Sequence, residues 1–195
     1  MEIKRLICGD YEENCYLVPT KNGYVVIDPG DGAYKLIQSL KINVLAIFNT
    51  HGHFDHIWDN GYFDAPIYIH ENDAFMLDDP FYKGHKKSTP TKATKDKESI
   101  KIDECEFIFH HFPGHTPGCC MIEIAEKNIA FSGDFLFAGC IGRYDFPYSN
   151  EKDMKNSLLK VSNWDKDMTL FPGHGDSTTL KNEQQNLNFW IKRMR

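Results

Sequence analysis

The residues best suited to chemistry lie in the segment THGHFDH, residues 50–56. Four of its side chains are of types that bind metal ions, namely His51, His53, Asp55 and His56. Imidazole nitrogen and carboxylate oxygen are ligands that zinc takes at about 2.0–2.2 Å. In a loop, His51 and His53 can turn toward one point, and Asp55 and His56 can face a second point beside it. The segment therefore predicts a metal site.

Three later segments repeat this design, with one residue of a metal-binding type in a glycine-bearing turn after apolar residues. They are FPGHTPG with His115, FSGDFLF with Asp134, and FPGHG with His174. Glycine in such turns lets the backbone and a ligand approach closely. Together the segments supply five histidines and two aspartates. Seven side chains are too many for one tetrahedral zinc ion, but they suit two ions about 3.5–4 Å apart with a bridging carboxylate and a water or hydroxide.

Cysteine usage favours a catalytic site over a structural one. Closed structural zinc sites commonly use sets of cysteine thiolates. The six cysteines contain no CxxC pair, and none joins the histidine segments at such a spacing. We therefore expect reduced thiols and a catalytic metal site.

Strand-like and helix-like segments alternate along the chain and must position these residues. Short β-rich or continuous apolar runs predict strands at 15–19, 24–28, 44–48, 67–69, 100–102, 106–112, 121–125, 128–132 and 168–171. Helical spacing of apolar residues predicts helices at 33–41, 71–77, 152–164 and 180–194. With no linker or repeat, the pattern predicts α/β layers in a single domain over residues 1–195.

One segment, residues 78–98, differs in composition from the rest. It carries six lysines, two prolines and little apolar content. We expect a solvated surface loop, or alternatively a mobile lid whose lysines attract an anionic substrate.

Composition and charge exclude several classes of function. The net charge of −6 disfavours non-specific binding to nucleic acid or to an anionic membrane surface. No apolar run approaches the ~20 residues of a transmembrane helix. The first residues lack the apolar stretch of a signal peptide. We therefore expect a cytoplasmic protein that binds neither nucleic acid nor membrane.

The pattern of these seven residues resembles that of the metallo-β-lactamase superfamily. The HxHxDH motif of that family matches residues 51–56, and its later metal ligands match His115, Asp134 and His174. The resemblance implies an αββα sandwich of two mixed β-sheets flanked by helices. It also implies a first metal held by the histidines at 51, 53 and 115, a second held by residues 55, 56 and 174, and a bridging Asp134. Zinc is the expected metal, with iron or manganese as alternatives. Asp28 matches a family position that supports a metal ligand, although it could equally be a plain turn aspartate.

Within the superfamily, residues 133–147 (GDFLFAGCIGRYDFP) are similar to glyoxalase II-like hydrolases. There, a basic residue at the position of Arg143 contacts glutathione; alternatively, Arg143 pairs with Asp145 or with a backbone carbonyl. Tyr144 and Phe146 would either line the pocket or simply pack. True zinc β-lactamases typically have cysteine where Asp134 stands, which disfavours antibiotic hydrolysis. Only about one helix follows His174, whereas full-length glyoxalase II continues into a helical domain. The resemblance is therefore to short, single-domain members whose substrate is uncertain.

This resemblance implies hydrolysis of a small-molecule thioester, such as a hydroxyacylglutathione, by attack of a hydroxide that bridges the metals. Asp55 would orient the hydroxide as well as bind metal. A thiol leaving group, with a pKa near 8.5, needs little help from a general acid. Three alternatives stay open. They are a persulfide dioxygenase-like enzyme with one iron, a lactone or ester hydrolase, and a non-catalytic metal-binding protein.

Overall fold

In a computed structural model of the chain, which describes residues 2–78 and 84–194, two six-stranded sheets lie face to face. The first sheet contains, in spatial order, β1 (Lys4–Cys8), β2 (Glu13–Pro19), β3 (Tyr24–Ile27), β4 (Val44–Phe48), β5 (Ile67–His70) and β6 (Lys92–Thr94). The pairs β1/β2 and β2/β3 are antiparallel, and the remaining pairs are parallel. The sheet is therefore mixed.

The second sheet is built by the later part of the chain. Its strands are β7 (Glu98–Ile102), β8 (Cys105–His111), β9 (Cys120–Ile124), β10 (Ile129–Gly133), β13 (Thr169–Pro172) and β14 (Thr178–Thr179), and the hairpin β11 (Leu136–Phe137) and β12 (Cys140–Ile141) stands apart. Their spatial order is β14–β13–β10–β9–β8–β7. Strands β10 and β13 are parallel and the other pairs are antiparallel, so this sheet is mixed as well.

Helices cover the outer faces of both sheets. They are α1 (Ala33–Leu40), α2 (Phe54–Ile57), α3 (Glu151–Ser162) and α4 (Leu180–Ile191), with short 3-10 helices at Asn60–Tyr62, Glu71–Asp78 and Ala125–Lys127. Ile37 of α1 packs on the first sheet, and Leu158 of α3 packs on the second. The Asn150 side chain caps α3 by accepting a hydrogen bond from the backbone N–H of Asp153. The predicted αββα sandwich is confirmed.

Aromatic residues fill the space between the sheets. The Phe48 ring of β4 lies edge-on to Phe107 and Phe109 of β8, with ring centroids 4.9 and 5.4 Å apart. All three side chains are fully buried. Because sheets pack about 10 Å apart, large rings on facing strands fix that spacing and hold the strand ends in register.

Several sequence predictions need correction. Residues 71–77, predicted as an α-helix, form part of a 3-10 helix. Residues 78–98 are not wholly a loop, because Lys92–Thr94 pairs with β5 as an edge strand; residues 79–83 of this segment lie outside the described part of the chain. Such a short, polar edge strand has no apolar alternation to reveal it. The predicted helices 152–164 and 180–194 end earlier, at Ser162 and Ile191.

The lysines described in this segment contact surface partners. Lys86 lies 4.6 Å from the centre of the Tyr62 ring, Lys87 pairs with Asp78 at 2.6 Å, and Lys92 pairs with Glu98. The lid remains a prediction. Among residues 2–78 and 84–194, no helix combines the length and apolar character needed to cross a bilayer.

Candidate metal centre

The seven predicted ligands all lie where strands of the two sheets end. His51 and His53 follow β4, whereas His56 lies within α2. From the second sheet, residue 115 follows β8, residue 134 follows β10, and residue 174 follows β13. The structure thus brings together residues that are far apart in sequence, at the edge where both sheets meet.

The side chains form two clusters. In the first, His51, His53 and His115 each place one ring nitrogen within 4.8 Å of the others, and His53 Nδ1 lies 2.8 Å from His115 Nε2. A second cluster, formed by Asp55, His56 and His174, meets the same 4.8 Å limit. These are the two groups that the resemblance assigns to two metals. A third group, Asp28, His51 and His56, meets the same limit.

Asp134 lies between the two clusters. Its Oδ1 is 3.4 Å from His56 Nε2, in the second cluster. Its Oδ2 is 3.4 Å from His115 Nε2, in the first cluster, and 3.7 Å from His174 Nε2. One carboxylate therefore faces both clusters, as a bridging ligand would.

Unsatisfied polar atoms test whether a metal fits here. Within the described part of the chain, seven buried side-chain atoms have no hydrogen-bond partner, and three of them are His51 Nε2, His56 Nε2 and Asp134 Oδ1. Buried polar atoms are nearly always satisfied, so each exception needs an explanation. All three belong to the clusters, and each can donate a lone pair to a cation. The residues fit a divalent-metal centre.

Hydrogen bonds at Nδ1 orient four of the five histidines. The acceptors are Thr50 Oγ1 for His51 at 3.1 Å, Asp28 Oδ2 for His56 at 3.1 Å, the Arg143 carbonyl for His115 at 2.7 Å, and the Tyr11 carbonyl for His174 at 3.1 Å. When the proton of a neutral imidazole is on Nδ1, the Nε2 atom carries the free lone pair. Proteins commonly set the orientation and tautomer of metal-binding histidines in this way. His53 differs, because its Nδ1 faces the cluster.

Asp28 supports two of the histidines. Its Oδ2 accepts hydrogen bonds from His56 Nδ1 and, at 2.6 Å, from the Thr50 hydroxyl, whose oxygen faces His51. Its Oδ1 accepts from the Thr50 backbone N–H at 2.8 Å. The carboxylate is 2% exposed, so these bonds are shielded from water. Asp28 therefore hydrogen-bonds to one candidate ligand, His56, and to the residue that precedes another, Thr50.

Burial and the neighbouring charges set the protonation of the cluster. Burial lowers the pKa of His51 well below its usual value, and that of His53 to about 3, so both rings are neutral. Burial opposes charge on His56 as well, but Asp134 and Asp55 outweigh it and raise the pKa of His56 well above 6.5. Burial likewise opposes charge on Asp134, whereas His56 lowers its pKa. The Asp134 carboxylate therefore favours positive charge beside it, where a cation would also be stabilised.

A cavity of about 420 Å³ opens over the clusters. Its floor includes His53, Asp55, Asp134 and His174, and its walls are formed by Tyr11, Phe54, Phe146 and Pro147. The Tyr11 and Phe54 rings meet edge-on with their centroids 5.1 Å apart. A ligand in the cavity would thus meet aromatic walls and a polar, metal-binding floor.

The two predicted substrate-binding residues, Arg143 and Tyr144, differ in their position relative to the cavity. Arg143 pairs with the Asp145 carboxylate through two bonds of 2.9 Å and stacks 4.1 Å above Phe146, which lines the cavity. Tyr144 packs against the core of the second sheet instead and does not line the cavity. The ring that does line it is Phe146, two residues further along.

Sequence reasoning missed two residues near the clusters. Tyr11 lines the cavity and orients His174 through its carbonyl, a role to which side-chain type gives no clue. Glu13 is 1% exposed, and its Oε1 lies 3.8 Å from His56 Nδ1. Burial raises the pKa of Glu13 well above its usual value. Glu13 precedes the predicted strand 15–19 and is charged, so its local sequence gave no sign that it is buried.

The αββα fold and the paired clusters define a class of metal-binding α/β proteins with the centre at the sheet edge. A family model of the metallo-beta-lactamase superfamily matches residues 8–174. The chain belongs to this superfamily.

Relatives and solved structures agree with this assignment. Hydroxyacylglutathione hydrolase GloC of Haemophilus influenzae is 30% identical, with 97% of this chain and 98% of that protein aligned. The structure of TTHA1623 in a di-iron-bound form is 34% identical and covers 92% of this chain and 96% of its own, with a TM-score of 0.81. The structure of BLEG-1 B3 metallo-beta-lactamase is 29% identical, with coverages of 96% and 99% and a TM-score of 0.84. These similarities support a metallo-hydrolase related to the glyoxalase II-like members.

Proposed function

We propose that the protein is a dinuclear metal-dependent hydrolase that cleaves small-molecule thioesters of the hydroxyacylglutathione type. The observation that supports two ions best is the position of Asp134, whose two carboxylate oxygens face different clusters at 3.4 Å. The second set, of which His56 is buried and Asp55 and His174 are partly exposed, supplies enough ligands for a second ion. Zinc is the proposed metal, and the di-iron form of TTHA1623 makes iron an alternative.

Two divalent ions at this site would supply an activated water and polarise the substrate carbonyl. The His51, His53 and His115 side chains would hold the first ion, and Asp55, His56 and His174 the second. Asp134 would contact both. The Nδ1 bonds described above keep the histidine lone pairs aimed at the centre.

Asp55 is the residue best placed to orient the attacking water. Its side chain is 15% exposed and lines the cavity, whereas the rings of His51 and His56 are fully buried. Asp55 Oδ2 lies 3.3 Å from His174 Nε2, which leaves its other oxygen available to accept a hydrogen bond from water. In thioester cleavage the C–S bond breaks to a thiolate, so this site needs no separate proton donor.

The walls of the cavity would position the substrate. Tyr11, Phe54 and Phe146 offer apolar faces to an acyl group and shield the floor from bulk water. Arg143 stacks on Phe146 of the cavity wall, and a carboxylate of a glutathione moiety would compete with Asp145 for its guanidinium. The similarity to GloC supports glutathione-derived thioesters as the first substrates to test.

The test uses protein loaded with zinc, iron or manganese. It compares thioester cleavage, oxygen uptake on a persulfide, and cleavage of a lactone or a β-lactam. We expect thiol release from S-lactoylglutathione, followed with a thiol-reactive dye. We also expect Asp134→Ala to lower the rate more than about 100-fold, because losing even the outer partners of a metal ligand costs 10–100-fold. Asp165→Ala, which removes an exposed aspartate after α3, is the matched control and should be unaffected.

Other outcomes would overturn the proposal in different ways. Oxygen uptake on glutathione persulfide, with no thiol release from thioesters, would assign the dioxygenase-like alternative. Cleavage of a lactone or a β-lactam in preference to thioesters would keep the centre and change the substrate class. Full activity of metal-free Asp134→Ala protein would remove the metal centre from the chemistry altogether.

A further inference from the structure

Asp73 is a buried carboxylate outside every motif discussed so far. It belongs to the 3-10 helix Glu71–Asp78, which follows β5, and it is 0% exposed. Neither the ligand clusters nor the walls of the cavity include it. A fully buried aspartate is rare unless its oxygens are paired, so its partners indicate its role.

Its partners belong to the two loops that form the first cluster. Oδ2 accepts a hydrogen bond from the backbone N–H of Gly52 at 2.9 Å and another from the Thr116 hydroxyl at 2.6 Å. Oδ1 accepts from the backbone N–H of Gly118 at 2.5 Å. Gly52 stands between His51 and His53, and Thr116 directly follows His115. One carboxylate therefore ties the loop of the first two histidines to the loop of the third.

Close packing reinforces this link. A Cβ at Gly118 would lie 2.7 Å from Asp73 Cγ, and a Cβ at Gly52 would lie 2.6 Å from the Met76 Cβ. Real Cβ atoms do not approach other heavy atoms so closely, so both positions need glycine. The 3-10 helix is thus seated directly against both loops, and Asp73 is its polar contact with each.

We propose that Asp73 is a positioning residue for the first metal, which acts by holding the His51–His53 loop and the His115 loop at a fixed separation. The second cluster has separate supports: Asp28 orients His56, and the Tyr11 carbonyl orients His174. Loss of Asp73 should therefore weaken one metal site and spare the other. This inference rests on the proposed metal centre but not on any substrate.

The experiment measures metal affinity by titrating the metal-free protein with Zn²⁺ against a competing chelator. Two binding steps are expected in the wild type. His115→Ala should remove the step that belongs to the first cluster, and His174→Ala the other, which assigns them. Asp73→Asn keeps the shape but replaces an acceptor oxygen with a donor, and it should lower the affinity of the first step about 10–100-fold. The second step should change less than threefold.

Matched variants separate positioning from general structure. Glu71→Gln lies two residues away on the same 3-10 helix but is exposed, and both steps should be unchanged. Thr116→Val removes one of the three hydrogen-bond donors to the Asp73 carboxylate, whereas Thr116→Ser keeps the hydroxyl. Only Thr116→Val should therefore weaken binding of Zn²⁺ to the first cluster. This pair also decides the matter if Asp73→Asn fails to fold.

The result that would overturn the proposal is a uniform effect. If the Asp73→Asn and Thr116→Val proteins weaken both steps equally, or leave both unchanged, Asp73 does not position the first metal. Absence of thioesterase activity in the wild type would contradict the proposed substrate, while the two metal steps would still report on Asp73.

Discussion

At the scale of single residues, the site depends on histidine and aspartate side-chain atoms that face the centre. Four histidines have Nδ1 near an oxygen acceptor, so each presents Nε2. Two of those Nε2 atoms and Asp134 Oδ1 are buried and unsatisfied among the described residues. An unsatisfied buried polar group costs about 1–3 kcal/mol. The fold tolerates that cost where a metal would relieve it.

Gly173 shows how little room surrounds these atoms. A Cβ at this position would contact Asp134 Oδ1 and would lie 2.6 Å from His56 Cε1. We expect Gly173→Ala to displace both side chains and to lower metal affinity and activity at least about tenfold. A chelator titration together with the thioester assay measures the effect.

Gly175→Ala is the control for backbone strain in the same loop. Its Cβ would meet nothing within 4 Å, although its φ of +74° makes any side chain strained there. It should cost about 1 kcal/mol of unfolding free energy and leave metal affinity intact. Equal metal loss in both variants would contradict crowding of Asp134 and His56 as the cause of the Gly173→Ala effect.

At the scale of elements, the candidate ligands lie at strand ends. Whether a strand could be predicted from the sequence depended on its length and burial. Buried strands such as β4 gave continuous apolar runs, so the histidines that follow them were recognised. The exposed edge strand β1 (Lys4–Cys8) has no such pattern and was not predicted.

Supporting residues were harder to predict than ligands. Asp73 and Glu13 owe their roles to contacts with residues far away in sequence, which the order of neighbouring residues does not reveal. Tyr11 acts through its backbone carbonyl, and every residue type has one. The candidate ligands, by contrast, are histidines and aspartates in or beside glycine-bearing turns, so side-chain type and local sequence together point to them.

Strands β5 and β8 are linked by a stacked histidine pair whose titration affects stability. His70 and His111 lie with their ring centroids 4.0 Å apart and an angle of 10° between the planes. Burial, and then repulsion from His111, lower the pKa of His70 to about 4 from 6.5. Between these values the unfolded chain binds more protons than the folded one. Stability attributable to His70 is therefore present above pH 6.5 and is lost as the pH falls toward 4.

We expect His70→Gln to make this acid dependence shallower. Urea unfolding of metal-free protein at pH 7, 6 and 5 gives the slope of the unfolding free energy against pH. On unfolding, the variant should bind up to about one proton fewer than the wild type does. An unchanged slope, or a steeper one, would show that His70 titrates alike in the folded and unfolded chain.

At the scale of the whole molecule, the centre joins the two sheets. His51, His53, Asp55 and His56 come from the first sheet and its following loop, whereas His115, Asp134 and His174 come from the second. Because a ligand that binds only the folded state stabilises it, metal bound here would hold the two halves together. The same joining edge opens into the aromatic cavity, so stability and chemistry depend on one set of residues.

The most direct test of the central claim is a crystal structure of the zinc-loaded protein, with the ions located by anomalous scattering at the zinc edge. The account predicts two peaks about 3.5–4 Å apart. One should lie among His51, His53 and His115, the other among Asp55, His56 and His174, and Asp134 should contact both. A single peak in fully loaded protein, or two peaks with Asp134 bound to neither, would contradict it.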